Sequence, residues 1–185
     1  AFAAISTPNQ PLDFFSQLTD WSGSSLMSRH GADVAIDGDL AVVGRPGDAL
    51  DGPQSGAVDV YQRTTTAPSL EGMPWQWDHV CTVRPTTPEA GARFGESVAL
   101  DDGLLVVGAW RAGNDHGQVW VADLSVSPLP SSIRTAWMLD APGLEPGDYL
   151  GCDVAIDDGL IVAGAWGADI EALQTAGKVW TWSID

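Results

Sequence analysis

The side chains that could perform acid–base, nucleophilic or metal chemistry are scattered along this 185-residue chain. Its histidines are His30, His79 and His116, and its two cysteines, Cys81 and Cys152, are expected to be free and buried. The sequence contains no G-x-S-x-G, H-E-x-x-H, C-x-x-C or phosphate-binding glycine loop. The 25 acidic residues are too numerous for any one carboxylate pair to indicate a glycosidase. We therefore expect no catalytic residues, metal ligands or cofactor, with a hydrolase only as an alternative.

Residues suited to binding are concentrated in three segments of unequal length, at 45–55, 109–116 and 165–176. Trp110 and Trp166 lie at matching places near the start of two of these segments. Exposed indole rings stack on sugars or peptides, and nearby charges orient the ligand. The candidate binding residues are Arg45, Asp48, Asp51, Trp110, Arg111, Asn114, Asp115, Trp166, Asp169 and Glu171. Alternatively, the two tryptophans fill wedges between packed sheets.

One 17-residue segment occurs three times without a gap. It reads HGADVAIDGDLAVVGRP at 30–46, FGESVALDDGLLVVGAW at 94–110 and LGCDVAIDDGLIVAGAW at 150–166. Seven positions are identical in all three copies, which begin 64 and 56 residues apart. This degree of identity indicates a repeated structural unit.

Each unit predicts a set of short antiparallel strands. A first strand such as Val98-Ala99-Leu100 ends in a tight turn of Asp and Gly, and an apolar second strand follows at Leu104-Leu105-Val106-Val107. A third strand follows a glycine at 57–61, 118–121 and 178–182, and a fourth is predicted at 75–81 and 137–139. Four antiparallel strands per repeat predict an all-β protein built of β-propeller blades.

The strand count gives the expected domain organisation. Residues 1–11 form an N-terminal extension, 12–19 a closing strand, and 28–84, 92–140 and 147–185 three blades. The third blade has only three strands of its own. Because propellers have about four to eight blades, we predict that two copies join into a six-bladed ring, each N-terminal strand completing a blade of the partner. The alternative is that the chain is a fragment of a longer propeller.

In such a propeller the three variable segments share one edge with the connections at 84–93 and 140–149. We call these five segments the rim. Variable loops on a repeated scaffold are where recognition usually occurs.

Phe94-Gly95 followed by Val107-Gly108-Ala109 resembles the FG-GAP repeats of integrin α-chain propellers and of bacterial surface and secreted proteins. His30 and Leu150 replace the phenylalanine in the other two copies. The resemblance covers about residues 12–182. It implies an extracellular or cell-surface module for adhesion or protein interaction, with ligand bound at the rim.

Integrin-type repeats also carry a D-x-D-x-D-G-x-x-D calcium loop between the first two strands. Here that connection is only two or three residues long. Calcium takes about six to eight oxygen ligands, which so short a turn cannot supply, so the family's calcium is not carried over. The repeated Asp33, Asp37, Asp101, Asp153 and Asp157 are better interpreted as acceptors for nearby backbone N–H groups.

The net charge of −17, with eight basic residues, disfavours nucleic acid and anionic membrane surfaces. No apolar run approaches the ~20 residues that span a bilayer. The expected partners are a second copy of the chain and a protein or glycan at the rim. Three functions follow: a non-catalytic interaction or adhesion module, a lectin-like carbohydrate binder, and a purely structural assembly unit.

Overall fold

The computed structural model describes residues 27–64, 76–135 and 137–184. This part of the chain forms twelve β-strands in three sheets, with one short helical turn, α1 (Ala112–Asp115). The predicted N-terminal extension (1–11) and closing strand (12–19) lie outside the described residues. In the part of the chain that is described, no helix has the length and apolar character needed to span a membrane.

Each repeat begins with the hairpin that its sequence predicts. The hairpins are β1 (Val34–Asp37) with β2 (Leu40–Arg45), β5 (Ser97–Asp101) with β6 (Leu104–Ala109), and β10 (Val154–Asp157) with β11 (Leu160–Ala165). In the second hairpin Asp101 pairs with Leu104, which leaves a two-residue turn, and the other two hairpins have the same register. The turn residues Asp102 and Gly103 have φ values of 44° and 76°. This left-handed geometry matches the twist of the flanking strands.

A third strand pairs antiparallel with the second strand of each hairpin. These strands are β3 (Ala57–Thr64), β7 (Gln118–Asp123) and β12 (Lys178–Ser183). A fourth strand pairs with β3 at β4 (Gln76–Arg84) and with β7 at β9 (Trp137–Met138). The described residues of the third repeat form three strands, as predicted.

The first sheet has a fifth strand that the sequence did not predict. β8 (Ser132–Arg134) belongs to the second repeat, between β7 and β9, yet it pairs in parallel with β4. The strand orders are β1-β2-β3-β4-β8, β5-β6-β7-β9 and β10-β11-β12. The chain therefore leaves the second sheet, covers the edge of the first sheet, and returns. An edge strand of this kind satisfies backbone groups of β4 that would otherwise face solvent.

The core lies between the sheets, which stack in chain order. Val42 of the first sheet packs in one cluster with Phe94 and Val107 of the second repeat. Val106, whose side chain points to the opposite face of the second sheet, packs with Ile161 of the third. Strand β5 contacts both β1 and β10, so the first strands of the three repeats are neighbours. Antiparallel sheets stacked in this way are consistent with propeller blades.

Both cysteines are free thiols, as expected. Cys81 lies in the core, and its burial raises the pKa of the thiol to about 11, so that it stays protonated at neutral pH. Cys152 is only partly buried, and its thiol donates to the Gly164 carbonyl at 3.3 Å.

Candidate functional site

Backbone hydrogen bonds hold the rim loops of one sheet against the connection that enters the next. Arg93 N donates to the Gln54 carbonyl at 3.0 Å, and Phe94 N to the Ser55 carbonyl at 3.1 Å. Between the second and third repeats, Leu150 N donates to the His116 carbonyl at 2.9 Å. Rim segments that are far apart in the sequence are thus fastened side by side.

Three aromatic rings form a stack on the rim. Tyr149 lies between Trp110, at a centroid distance of 5.3 Å with an edge-on orientation, and Trp166, at 4.6 Å with nearly parallel planes. Trp166 is 57% exposed, whereas Trp110 is partly buried. The two predicted tryptophans are therefore brought together through a residue that the sequence analysis did not select.

Two arginines extend the aromatic stack at its Trp110 end. The guanidinium carbons of Arg93 and Arg111 lie 5.6 and 5.5 Å from the centroid of the Trp110 ring, within the range of cation–π attraction. Arg111 also donates from Nε to Asp115 Oδ1 at 3.1 Å. Two predicted rim residues thus hold each other, and the second arginine on the ring was not predicted.

A positional signal could have found both missed residues. Arg93 and Tyr149 each immediately precede the 17-residue segment, and Arg29 occupies the same place in the first repeat. All three have a left-handed φ, at 56°, 58° and 59° for Arg29, Arg93 and Tyr149. Non-glycine residues seldom adopt this conformation, so the three side chains share one unusual projection from the backbone.

Arg45 and Asp48 lie beneath the rim surface rather than on it. Both side chains are buried, with Arg45 Nη1 3.2 Å from Asp48 Oδ2 and Arg45 Nη2 3.3 Å from Asp59 Oδ1. Arg84 Nη2 contacts Asp48 from the other side at 3.4 Å. A buried ion pair of this kind holds the loop after β2 on its own sheet, and its side chains are not presented to a ligand.

Asp51 continues this network towards solvent. It accepts two hydrogen bonds from Arg134 of β8, at 2.6 and 3.0 Å, and lies 3.7 Å from Arg84 Nε. The hydrogen bond from Arg134 is the main reason that the pKa of the Asp51 carboxyl is lowered. The unexpected strand β8 is therefore fastened to a predicted rim residue.

Two histidines, His30 from the turn before β1 and His79 from β4, meet at one buried carboxylate. His30 Nε2 and His79 Nε2 lie 3.7 and 3.4 Å from Asp59, and Thr82 donates to the same carboxylate at 2.8 Å. His30 also contacts the Tyr61 hydroxyl at 3.1 Å. The third histidine, His116, is bonded through Nδ1 to the Gly113 carbonyl. Each histidine is thus held in a hydrogen-bonded structural setting.

The rim loop of the third repeat (165–176) is more exposed and more acidic than the corresponding loops of the first two repeats. Asp169 and Glu171 line a pocket together with Glu145, Asp148 and Lys178. Asp169 also accepts a hydrogen bond from the Thr175 backbone at 2.6 Å. Across residues 27–64, 76–135 and 137–184, no three His, Cys, Asp or Glu side chains are grouped so as to hold a metal ion.

The last predicted rim residue, Asn114, is exposed beside the aromatic stack of the second repeat. It lies in α1 and has a φ of 61°, next to Gly113 at 62°. The second repeat thus presents Asn114 and Arg111 to solvent, whereas the third presents Trp166 and two carboxylates.

A comparison with protein-family models finds two matches to the FG-GAP repeat, at residues 18–61 and 77–122. The chain carries FG-GAP repeats. The third copy of the 17-residue segment, at 150–166, lies outside both matches. It is identified by the seven positions at which it has the same residue as the other two copies. A search of curated proteins finds no match.

FG-GAP repeats are generally structural or interaction modules. In this chain the connection that holds calcium in integrin-type repeats is a two-residue turn in every hairpin. Its aspartates act on the backbone instead: Asp37 Oδ2 accepts from Asp102 N at 2.9 Å, and Asp101 Oδ2 from Asp158 N at 2.8 Å. The interpretation as backbone acceptors is confirmed for Asp33, Asp37, Asp101 and Asp153. The bonds to Asp37 and Asp101 connect one sheet to the next.

Proposed function

We propose that this chain is a non-catalytic FG-GAP module of the β-propeller type that binds another protein through its rim. The observation that carries this is the aromatic and arginine cluster of Arg93, Trp110, Arg111, Tyr149 and Trp166. Tryptophan, tyrosine and arginine are the residues most enriched at interaction hot spots. The ring stack also holds Trp166 in place, so little side-chain freedom is lost on binding.

The charge of the chain favours a basic or neutral partner segment. The net charge is −17, and the rim loop of the third repeat carries the exposed Asp169 and Glu171 as well as the exposed ring of Trp166. Like-charge repulsion opposes an acidic partner, whereas lysine or arginine side chains find both carboxylates and an aromatic face. By analogy with other FG-GAP proteins, we place this interaction at the cell surface or outside the cell, in an adhesion role.

Selection from a displayed library of random dodecapeptides tests the proposal. We expect peptides rich in Lys or Arg to be enriched on the chain, and Trp166→Ala to weaken their binding at least tenfold. Trp137→Ala is the matched control, because Trp137 is also exposed but lies in β9, outside the rim. Failure to enrich any peptide, or equal loss in the two variants, would contradict rim binding.

Carbohydrate binding is the second candidate, favoured by the exposed indole of Trp166 on a pre-formed stack. Sugars commonly bind by placing a ring face on such an indole. A glycan array probed with the chain, with Trp110→Ala and with Trp166→Ala separates the two functions. Glycan binding lost in both variants would favour a lectin, and glycan binding unchanged in both would remove the rim as its site.

A structural assembly role is the third candidate, and we propose that the chain self-associates through its terminal strands. Within the described residues β12 has β11 as its one neighbour in the third sheet, so the outer edge of β12 is available to a further strand. The candidate strand at 12–19 lies outside the described residues. Deleting residues 1–18 should dissociate the assembly, and an unchanged oligomer would contradict the exchange of strands.

A further inference from the structure

We infer that the third sheet presents a face made to receive the first strand of a second copy of this chain. This deepens the proposed self-association by naming its contact surfaces, and it does not depend on the rim having a ligand. Two surfaces carry it. The open face consists of Ala155, Leu160, Val162, Gly164 and Val179, and the open strand consists of residues 31–38, which include β1.

The open face repeats, residue for residue, the faces that cover the next sheet elsewhere in the molecule. Its five residues have identical counterparts in both other repeats: Ala35 and Ala99, Leu40 and Leu104, Val42 and Val106, Gly44 and Gly108, and Val58 and Val119. Val42 and Val58 are fully buried in the core between the first and second sheets. Val106 and Val119 are fully buried between the second and third sheets.

In the third sheet the same side chains are not covered by any of the described residues 27–64, 76–135 and 137–184. Val179 is 65% exposed and Leu160 is about half exposed. Uncovered β-branched residues on a flat sheet face are typical of a surface that packs against another sheet. Because the identity of the residues is retained while their cover is missing, we expect the partner to resemble what covers the other two faces.

Glycine spacing indicates how closely the partner approaches. A Cβ on Gly44 would lie 2.1 Å from the Gly95 carbonyl oxygen, and a Cβ on Gly108 would lie 2.0 Å from the Gly151 oxygen. Each glycine therefore makes room for the backbone of the next repeat. At Gly164 the nearest described atom to such a Cβ is the Cys152 sulfur at 3.4 Å, so the room is kept and no backbone of the described residues fills it.

The open strand supplies the matching half of this contact. Gly31 corresponds to Gly95 and Gly151, and a Cβ placed on it would meet nothing within 4 Å. Ile36 is 64% exposed, whereas its counterpart Leu100 is 9% exposed because it packs on the preceding sheet. The residues of the open strand therefore correspond to those that, in the second and third repeats, pack on the face of the preceding sheet.

Polar groups on the two surfaces are also complementary. In the two contacts within the chain, the aspartate that ends the first strand accepts from the turn N–H of the next repeat. Continuing this pattern pairs Asp157 with the backbone N–H of Gly38 in a second copy. A contact that joins the open face to the open strand is head-to-tail, so two copies can form it twice. Three sheets from each copy give six, within the usual range of about four to eight for a closed ring.

Analytical ultracentrifugation of the 185-residue chain and of two surface variants tests the proposed contact. The protein concentration, 1–100 µM, is about 10 to 1,000 times a sub-micromolar Kd, so a dimer of that affinity is formed throughout. We expect a dimer of twice 19.4 kDa for the unmodified chain. Val179→Asp on the open face and Ile36→Asp on the open strand should each give monomers, because every contact would bury an unpaired charge. Mixing the two variants restores one intact contact per pair and should recover a dimer with at least tenfold weaker affinity than the unmodified one.

Val126→Asp is the control, since Val126 is also half exposed but belongs to neither surface, lining a pocket with Leu40 and Asp102 of the first and second sheets; it should remain dimeric. A monomeric unmodified chain, an open-ended polymer, or a Val179→Asp variant that stays dimeric would overturn the inference. A dimer that dissolves on deletion of residues 1–18 but tolerates Val179→Asp would support strand exchange and exclude this contact. Peptide binding by monomeric Val179→Asp reports on the rim separately.

Discussion

The first sheet and the other two place different chemistry at the same three positions of the repeat. Arg45, Asp48 and Asp59 form an ion-paired cluster in the first repeat. The corresponding residues are Ala109, Ala112 and Trp120 in the second repeat and Ala165, Ala168 and Trp180 in the third. One backbone arrangement therefore accommodates either three charged side chains or two small residues and one large ring.

The difference shows that the repeat fixes the volume available at these three positions, but not whether charged or apolar side chains fill it. In the second and third repeats an indole occupies this place, and its one polar group is the ring N–H, which in Trp120 donates to Gln118 Oε1 at 3.2 Å. In the first repeat the same volume is filled by groups that depend on one another, because each buried charge needs its partner. The charged cluster also reaches Arg84 and, through Asp51, the added strand β8, so it connects the four strands β2, β3, β4 and β8.

Breaking the charged cluster should give the largest effect. Arg45→Ala leaves Asp48 and Asp59 buried without their shared guanidinium, and we expect it to lower the free energy of unfolding by about 3–5 kcal/mol. The triple variant Arg45→Ala, Asp48→Ala, Asp59→Trp installs the set found in the other repeats and should be more stable than Arg45→Ala alone. Urea denaturation measures both. A triple variant less stable than the single one would show that the positions are not equivalent.

The contacts between sheets can be compared by adding one methyl group. Gly108→Ala forces a Cβ into the Gly151 carbonyl and should cost about 1–3 kcal/mol in thermal or urea unfolding. Gly164→Ala meets only the Cys152 sulfur at 3.4 Å and should change the stability of a single chain by less than about 0.5 kcal/mol. Equal losses of stability at Gly108 and Gly164 would contradict the conclusion that the next repeat packs closely on Gly108 and that no such packing occurs at Gly164 within the described part of one chain.

The aspartates that connect successive sheets should give a smaller effect. Asp101→Ala removes the acceptor for Asp158 N and should cost about 1 kcal/mol. Asp157→Ala is the matched control in the third repeat, and under monomeric conditions it should be close to neutral. Thermal unfolding of both variants in the Val179→Asp background separates the effect within a chain from any effect between copies.

Disrupting the ion pair of Asp51 and Arg134, at the exposed end of the charged cluster, should have the smallest effect on stability. The size of this effect should depend on pH. Arg134 lowers the pKa of Asp51 from its ordinary 3.8, so the stability that this pair contributes is present above pH 4 and is lost as the pH falls through the lowered value. Because Arg134 is partly exposed, we expect a coupling below about 1 kcal/mol at pH 7. A double-mutant cycle of Asp51→Asn and Arg134→Gln, measured at pH 7 and at successively lower pH, tests it. Coupling that does not fall as the pH is lowered would contradict the assignment.

The hairpins were predictable because their signals are local. Alternating apolar residues and an Asp-Gly turn within about ten residues are sufficient to define β5 and β6. Strand β8 was not predictable, because its three residues carry no pattern and its position depends on the free edge of β4. The role of Tyr149 was also missed, since its neighbour Trp110 comes from another repeat. The role of Asp59 was missed because its partners Arg45 and Thr82 lie on separate strands of the same sheet.

The repeat, its hairpins and the residues at which successive sheets meet are all encoded in local sequence. The seven identical positions, Gly31, Val34, Ala35, Asp37, Leu40, Val42 and Gly44 with their counterparts, include the close-approach glycines, the covered side chains and the linking aspartates. Only the tertiary structure decided which side chains form the buried ion network and the aromatic stack. These contacts join residues far apart in the chain, such as Asp51 and Arg134, 83 positions apart, so no local pattern encodes them. The cover that the open face and the open strand lack likewise becomes visible only when the three sheets are stacked.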